Sequence, residues 1–191
     1  MLSSCLVTSS PDFQDPQRSR PFFLPDLANP DPRRVIVLDA TTQKIELDGF
    51  IVGEDAGSAV QPRLLRDYGT FDEVLGKPFQ NSQNGIDVPP GSLDGEPRKV
   101  SVVASPAGLG LTPGCHRLTL MVSHKFDEAT GCPSDLTDYD ALTWTVLVCD
   151  ANGICPTLDL TKEKQAPDDP SCPAVTVSCA TLDGSGAGGG S

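Results

Sequence analysis

A chain of 191 residues with 38% hydrophobic content, 18 glycines and 18 prolines has room for one domain with a real core, short strands and long loops. Its formal charge of −12 argues against nucleic acid as a partner and against unaided attraction to an anionic bilayer. No apolar run in the sequence approaches the ~18–20 residues that a membrane-spanning helix needs.

The N-terminus reads Met1-Leu2-Ser3-Ser4-Cys5, and Cys5 is the only cysteine ahead of Cys115. Leu2-Ser3-Ser4-Cys5 resembles the lipobox of bacterial lipoproteins, in which a leucine and two small residues precede a cysteine. The resemblance implies a signal peptide cleaved before Cys5, a thioether-linked diacylglycerol on its sulfur and acylation of the new N-terminus. Stable anchoring needs more than one acyl chain, because each buried CH₂ contributes only about 0.8 kcal/mol. Leu6, rather than an aspartate, follows the cysteine, which by analogy with enterobacterial sorting favours the outer membrane.

Residues 6–32 carry six prolines among scattered charges and read as an extended tether, so the segment 1–32 is assigned to lipobox and linker. Phe22, Phe23 and Leu24 offer either a docking patch or flank packing against the domain, and flank packing is favoured. From residue 33 the pattern changes. Val35 to Leu38 is a short continuous apolar run of the buried-strand kind. Lys44 to Val52 follows, with Ile45, Leu47 and Phe50 as inward residues and Gly49 as a bulge; Val60 to Tyr68 is next, with Pro62 pointing to an edge. Residues 69–97 show no usable period apart from one helical turn over Phe71 to Leu75, and so long a connection is functional or mobile by ordinary standards.

Lys99 to Ala104 is another strand, and then comes the clearest stretch in the chain. Leu118, Leu120 and Val122 alternate with Arg117, Thr119 and Met121; Leu142, Trp144, Val146 and Val148 alternate with Thr143, Thr145, Leu147 and Cys149. Period-two alternation predicts a long hairpin with its even-numbered residues inward. Pairing Leu118 with Val146 sets Leu120 against Trp144 and Cys115 opposite Cys149. Asn152-Gly153 predicts a tight turn, with Thr157 to Leu160 as a short last strand, so the domain is bounded at 33–160. The tail, 161–191, holds a further strand fragment between Cys172 and Cys179 and ends in a Gly/Ser-rich segment.

Six or seven short strands with few helical periods predict an all-β, immunoglobulin-like sandwich of about seven strands, with long loops and disordered terminal tails. The stretches Cys5-Leu6-Val7-Thr8, Leu65-Arg66-Asp67-Tyr68-Gly69 and the strand from Gly114 to His124 are similar to a family of cell-envelope lipoproteins from myxobacteria and related envelopes. That resemblance covers most of residues 5–155; it implies an envelope address and this fold, and brings no biochemical activity with it.

The six later cysteines stand 17, 17, 6, 17 and 7 positions apart, which offers none of the close pairs of a zinc site and points to disulfides formed in an oxidising compartment. Chain reach excludes Cys115–Cys132, because the strand between them runs ~33 Å and the loop cannot fold back so far. Cys115–Cys149 is favoured, with Cys149–Cys155 across the Asn-Gly turn as the close rival. Cys132 is left to find Cys172 or Cys179.

No catalytic residue is assigned. Ser123, His124 and Asp127 have the residue types of a hydrolytic triad, but adjacent strand residues point to opposite faces and no G-x-S-x-G motif surrounds any serine. His116 and His124 are ~27 Å apart along one strand, too far for one metal. Asp127, Glu128, Asp135, Asp138 and Asp140 crowd the hairpin loop without the D-x-D-x-D-G spacing of a calcium loop, so they form at most a weak Ca²⁺ site within a solvated acidic loop. No cofactor is expected. The sequence therefore predicts a non-enzymatic envelope lipoprotein, held by a lipid on Cys5, whose partner is an envelope protein or surface ligand. The alternative is a secreted, non-lipidated binding module, an adhesin or inhibitor, using the 69–97 loop or the acidic 127–140 loop.

Overall fold

The computed structural model describes residues 20–53, 57–68, 80–91, 95–128 and 131–156. Eight strands form among them, together with one short 3₁₀ turn at Pro25–Leu27. The smaller sheet joins β1 (Phe22–Phe23), β3 (Ile45–Val52) and β6 (Arg98–Ala104) in the order β1-β3-β6. The larger joins β2 (Ile36–Leu38), β4 (Gln61–Arg66), β5 (Gln80–Asn84), β7 (Gly114–Ser123) and β8 (Tyr139–Val148) in the order β2-β8-β7-β4-β5. All pairings are antiparallel except β2 with β8. The chain changes sheet after β1, β2, β3, β5 and β6, so among the described strands only β4–β5 and β7–β8 are both consecutive in sequence and paired. This order is that of an immunoglobulin-like sandwich in which β5 extends the β8-β7-β4 sheet.

The core lies between the sheets. Ile45, Leu47 and Ile51 of β3, with Val100 and Val102 of β6, meet Leu64 of β4, Leu118, Leu120 and Val122 of β7, and Leu142, Trp144 and Val146 of β8. The even-numbered residues of the hairpin face this core, as the alternation predicts, and in β7 the odd-numbered face is buried as well. In β3 the inward set is Ile45, Leu47 and Ile51, and Phe50 is only half-buried on the other face. Gly49 is no bulge: it pairs in regular register with Val100. Its lack of a side chain has another cause, since an added Cβ would stand 2.6 Å from Cε1 of Phe23 and 3.6 Å from Cδ2 of Leu120. Gly49→Ala is expected to lower stability by ~1–3 kcal/mol through overpacking, read as a lower urea midpoint at unchanged m-value.

The hairpin register differs from the expected one by two residues. Leu118 pairs with Trp144, Leu120 with Leu142 and Val122 with Asp140, and Cys115 stands opposite Leu147 rather than Cys149. An even shift leaves every side chain on its own face, so alternation is blind to it. Nor is β4 an edge, despite Pro62. It lies between β7 and β5. Pairing with β5 begins at Arg63, and the Pro62 carbonyl accepts from Gly85 N at 3.0 Å. The proline sits where the second ladder starts and its missing N–H interrupts nothing. β5 falls inside the 69–97 connection, where no strand was expected.

The segment 21–32 belongs to the domain and not to the tether. Phe23 is buried and its N–H donates to Asp140 Oδ2 at 2.8 Å. Asn29 and Asp48 exchange backbone hydrogen bonds of 3.0 and 2.8 Å, and Trp144 Nε1–H donates to the Pro30 carbonyl at 2.7 Å. Proline density misleads here because prolines also suit a segment that packs by side chains and needs few ladder donors. The expected helical turn over 71–75, the strand over 157–160 and the fragment between Cys172 and Cys179 lie outside the described residues.

Candidate functional site

Four cysteines fall among the described residues, and all four are disulfide-bonded. Cys149 is joined to Cys155 across the 150–154 turn, with the two Cα atoms 4.0 Å apart. This corrects the favoured Cys115–Cys149 pairing and selects its rival. The two-residue register shift carries Cys149 past Cys115, while the turn brings Cys155 back: Asp150 N donates to the Ile154 carbonyl at 2.9 Å and Asp150 Oδ1 accepts from Asn152 N and Ile154 N. Those bonds hold the Asp150 carboxyl below the ordinary carboxylate range, the backbone N–H of Ile154 being the main cause. A loop this short restricts the unfolded chain little, so Cys149→Ser with Cys155→Ser is expected to cost only ~2 kcal/mol, read from the thermal midpoint. Cys115 and Cys132 are bonded elsewhere, and their partners, like Cys5, Cys172 and Cys179, lie outside the described residues.

The two histidines close the two ends of β7. Both stand at inward positions, 116 and 124, where the core runs out, and each has its own aspartate. His116 Nδ1 lies 2.8 Å from Asp67 Oδ2 and its Nε2 lies 2.8 Å from the Thr112 carbonyl. Asp67 Oδ1 accepts from Arg117 N at 2.8 Å. With an acceptor at each ring nitrogen, the arrangement suits the doubly protonated imidazolium. Burial draws the His116 pKa down, but the hydrogen bonds to Asp67 and Thr112 and the Asp67 charge outweigh it, and the value stands above the ordinary one. Asp67 achieves this contact from a left-handed backbone, φ 49°, which short polar side chains tolerate best. At the other end, His124 Nδ1 lies 2.6 Å from Asp138 Oδ1, in a pair whose histidine side chain is only 2% exposed. Ser123 takes no part, its hydroxyl donating to the Lys125 carbonyl at 3.0 Å.

The acidic hairpin loop disperses its carboxylates. Asp138 is paired with His124; Asp140 accepts from Phe23 N and Ala141 N; Asp135 caps Thr137 through its N–H at 2.8 Å and its hydroxyl at 2.7 Å. Glu128, with its side chain 92% exposed, reaches only to 3.8 Å from Arg63. Among the described residues no three His, Cys, Asp or Glu side chains converge as a metal would need, so the weak calcium expectation finds no ligand set there.

A shallow polar cleft between the β4–β5 end and this loop is lined by Gln61, Arg63, Asn84, Asp87, Phe126 and Glu128. Arg63 stacks over Phe126, 4.5 Å from the ring centroid, and its buried Nε finds no acceptor. Sequence reading missed both the cleft and the Asp67–His116 pair. Each joins residues more than 48 positions apart in the chain, with no local spacing to betray them.

No family model matches the chain, and no curated protein matches it. Among solved structures it is similar to AggA, the major subunit of aggregative adherence fimbriae type I from Escherichia coli, at 10% identity over 68% of this chain and 92% of that one, with a TM-score of 0.30. A CARDB domain from Pyrococcus furiosus in complex with di-metal ions overlaps at 11% identity over 69% and 92% of the two chains, TM-score 0.33. The apo form of the Calx CBD1 domain does so at 12% identity over 70% and 100%, TM-score 0.32. At these scores the overlaps carry no argument about function.

Proposed function

We propose that this chain is a bacterial cell-envelope lipoprotein: a disulfide-linked immunoglobulin-like domain, held at the outer membrane by a lipid on Cys5, with a structural or binding role rather than a catalytic one. The observation that carries the reading is the covalent state of sulfur. Cys115, Cys132, Cys149 and Cys155 are all in disulfides, a state that belongs to an oxidising compartment, while Leu2-Ser3-Ser4-Cys5 sets one cysteine apart in a lipobox-like context. Among the described residues no helix is long and apolar enough to cross a membrane, so within them nothing helical would rival a lipid as the anchor.

The test is intact mass of the protein taken from a bacterial membrane fraction, beside a Cys5→Ser variant. Three acyl chains on an N-terminal Cys5, and release of the variant into the soluble fraction, are expected. Protein recovered from the medium with an unmodified Cys5 thiol would overturn the anchor and favour the secreted binding module.

A further inference from the structure

The cleft between the β4–β5 end and the hairpin loop gathers unspent hydrogen-bonding capacity around a buried cation. Arg63 is only 7% exposed, yet among the described residues its guanidinium donates no hydrogen bond. One face of the group lies on Phe126. The nearest carboxylate oxygen, from Glu128, is 3.8 Å away, beyond hydrogen-bond range. Nε is buried without an acceptor, so the demand of the charge falls on the two terminal nitrogens, which open to the cleft. A buried guanidinium is ordinarily matched by oxygens, and one that is not calls for an occupant.

The frame around Arg63 is fixed. Its strand is paired on both sides, Arg63 lying opposite Met121 of β7 and Asn84 of β5. Val60 and Val88 exchange backbone hydrogen bonds of 2.9 and 2.8 Å beside the cleft. On the loop side Asp127 N donates to the Cys132 carbonyl at 2.8 Å, and Ser134 N donates to the Lys125 carbonyl at 2.9 Å. Within this frame Gln61, Asn84 and Asp87 make no side-chain hydrogen bond among the described residues, and Asn84, Asp87 and Glu128 are exposed. The cleft therefore presents guanidinium donors, carboxylate acceptors and amides that serve as either.

We propose that this cleft binds a neutral polyhydroxyl ligand, a monosaccharide unit, whose hydroxyl oxygens accept from the terminal nitrogens of Arg63 while its hydroxyl protons go to Asp87 and Glu128. Charge selects the class. A free anion would meet two carboxylates in the cleft and a formal charge of −12 over the chain. A cation would meet the guanidinium. A zwitterion would have to pair its ammonium with a Glu128 side chain that is 92% exposed, where an ion pair contributes little. An apolar ligand finds Phe126 only 4% exposed and already covered by Arg63. A hydroxyl group donates and accepts at once, so neighbouring hydroxyls satisfy a donor and an acceptor that stand side by side. A few hydrogen bonds at a shallow site give weak binding, with a Kd of ~1–10 mM.

This inference concerns the folded domain and stands whether or not Cys5 carries a lipid. The test is titration of the isotope-labelled full chain, disulfides intact, with glucose, galactose, mannose and N-acetylglucosamine, followed by proton–nitrogen correlation NMR. At least one sugar is expected to shift the Arg63 Nε–H signal and the Gly85 and Asp87 amides together and saturably. Asp87→Ala, at an exposed side chain, should weaken that sugar by about tenfold, with the Trp144 indole signal unmoved as the sign of an intact core. Arg63→Met should abolish the response. Shifts with none of the sugars, or only with sodium acetate or glycine, overturn the inference in favour of water, an anion or a zwitterion. A sugar response that Asp87→Ala leaves unchanged overturns it as well.

Discussion

Replacing Trp144 with alanine is expected to destabilise the domain by ~3–5 kcal/mol, a large part of the ~5–15 kcal/mol that a domain of this size has in hand. Trp144 is fully buried, and no other tryptophan exists in the chain. Its ring fills the sandwich at the centre of β8, and its N–H is the donor that holds the Pro30 carbonyl at 2.7 Å. The alanine variant loses both effects: a cavity opens, and the segment before β2 loses its tie to the core. Trp144→Phe separates them, keeping most of the volume while orphaning the carbonyl, and should cost ~1–3 kcal/mol. Urea titration followed by circular dichroism would measure each. A phenylalanine variant as stable as the parent would show that the hydrogen bond contributes nothing.

Asp67→Ala is expected to cost a comparable ~3–5 kcal/mol, because it leaves a buried His116 and the Arg117 N–H without their acceptor. Part of the loss comes from the backbone, since alanine fits the φ of 49° less well than aspartate does. The pair also sets a pH dependence of defined sign. His116 binds its proton more tightly in the folded chain than in the unfolded one, so its contribution is complete below the unfolded pKa of 6.5 and is lost as pH rises through the higher folded value. The thermal midpoint of the parent should therefore fall from about pH 6 upward, and Asp67→Asn, which keeps an acceptor but removes the charge, should flatten that slope. A parent whose midpoint is level or rises over that range would refute the assignment. At the acid end the slope reverses. Burial pushes the Asp48 pKa up, yet bonds from Ser101 Oγ at 2.6 Å and Lys99 Nζ at 2.9 Å win and hold it below the ordinary value. Its contribution is lost as pH falls through that depressed value.

Several features of the fold were legible because they are written in local periodicity. The even-numbered residues of the long hairpin and Ile45 and Leu47 of β3 face the core as period-two alternation names them, whereas Phe50 does not and β7 is buried on its other face too. β5, Gln80–Asn84, carries no apolar alternation at all, and pairing with β4 makes it a strand. The candidate calcium loop shows the same limit from the other side. A cluster of acids in sequence says nothing about convergence, and here Asp135, Asp138 and Asp140 are drawn to different partners.

By itself the sequence determined the class of architecture and the core-facing residues of the long hairpin, because composition and period-two alternation are properties of the chain alone. Only the tertiary structure decided the hairpin register, the Cys149–Cys155 bond, the inclusion of residues 21–32 in the domain and the pairing of His116 with Asp67. The physical reason is common to all four. A shift by two residues, a choice among cysteines or a contact between distant segments leaves local patterning unchanged, so the outcome falls to whichever arrangement packs Trp144 and satisfies the buried polar groups at the ends of β7.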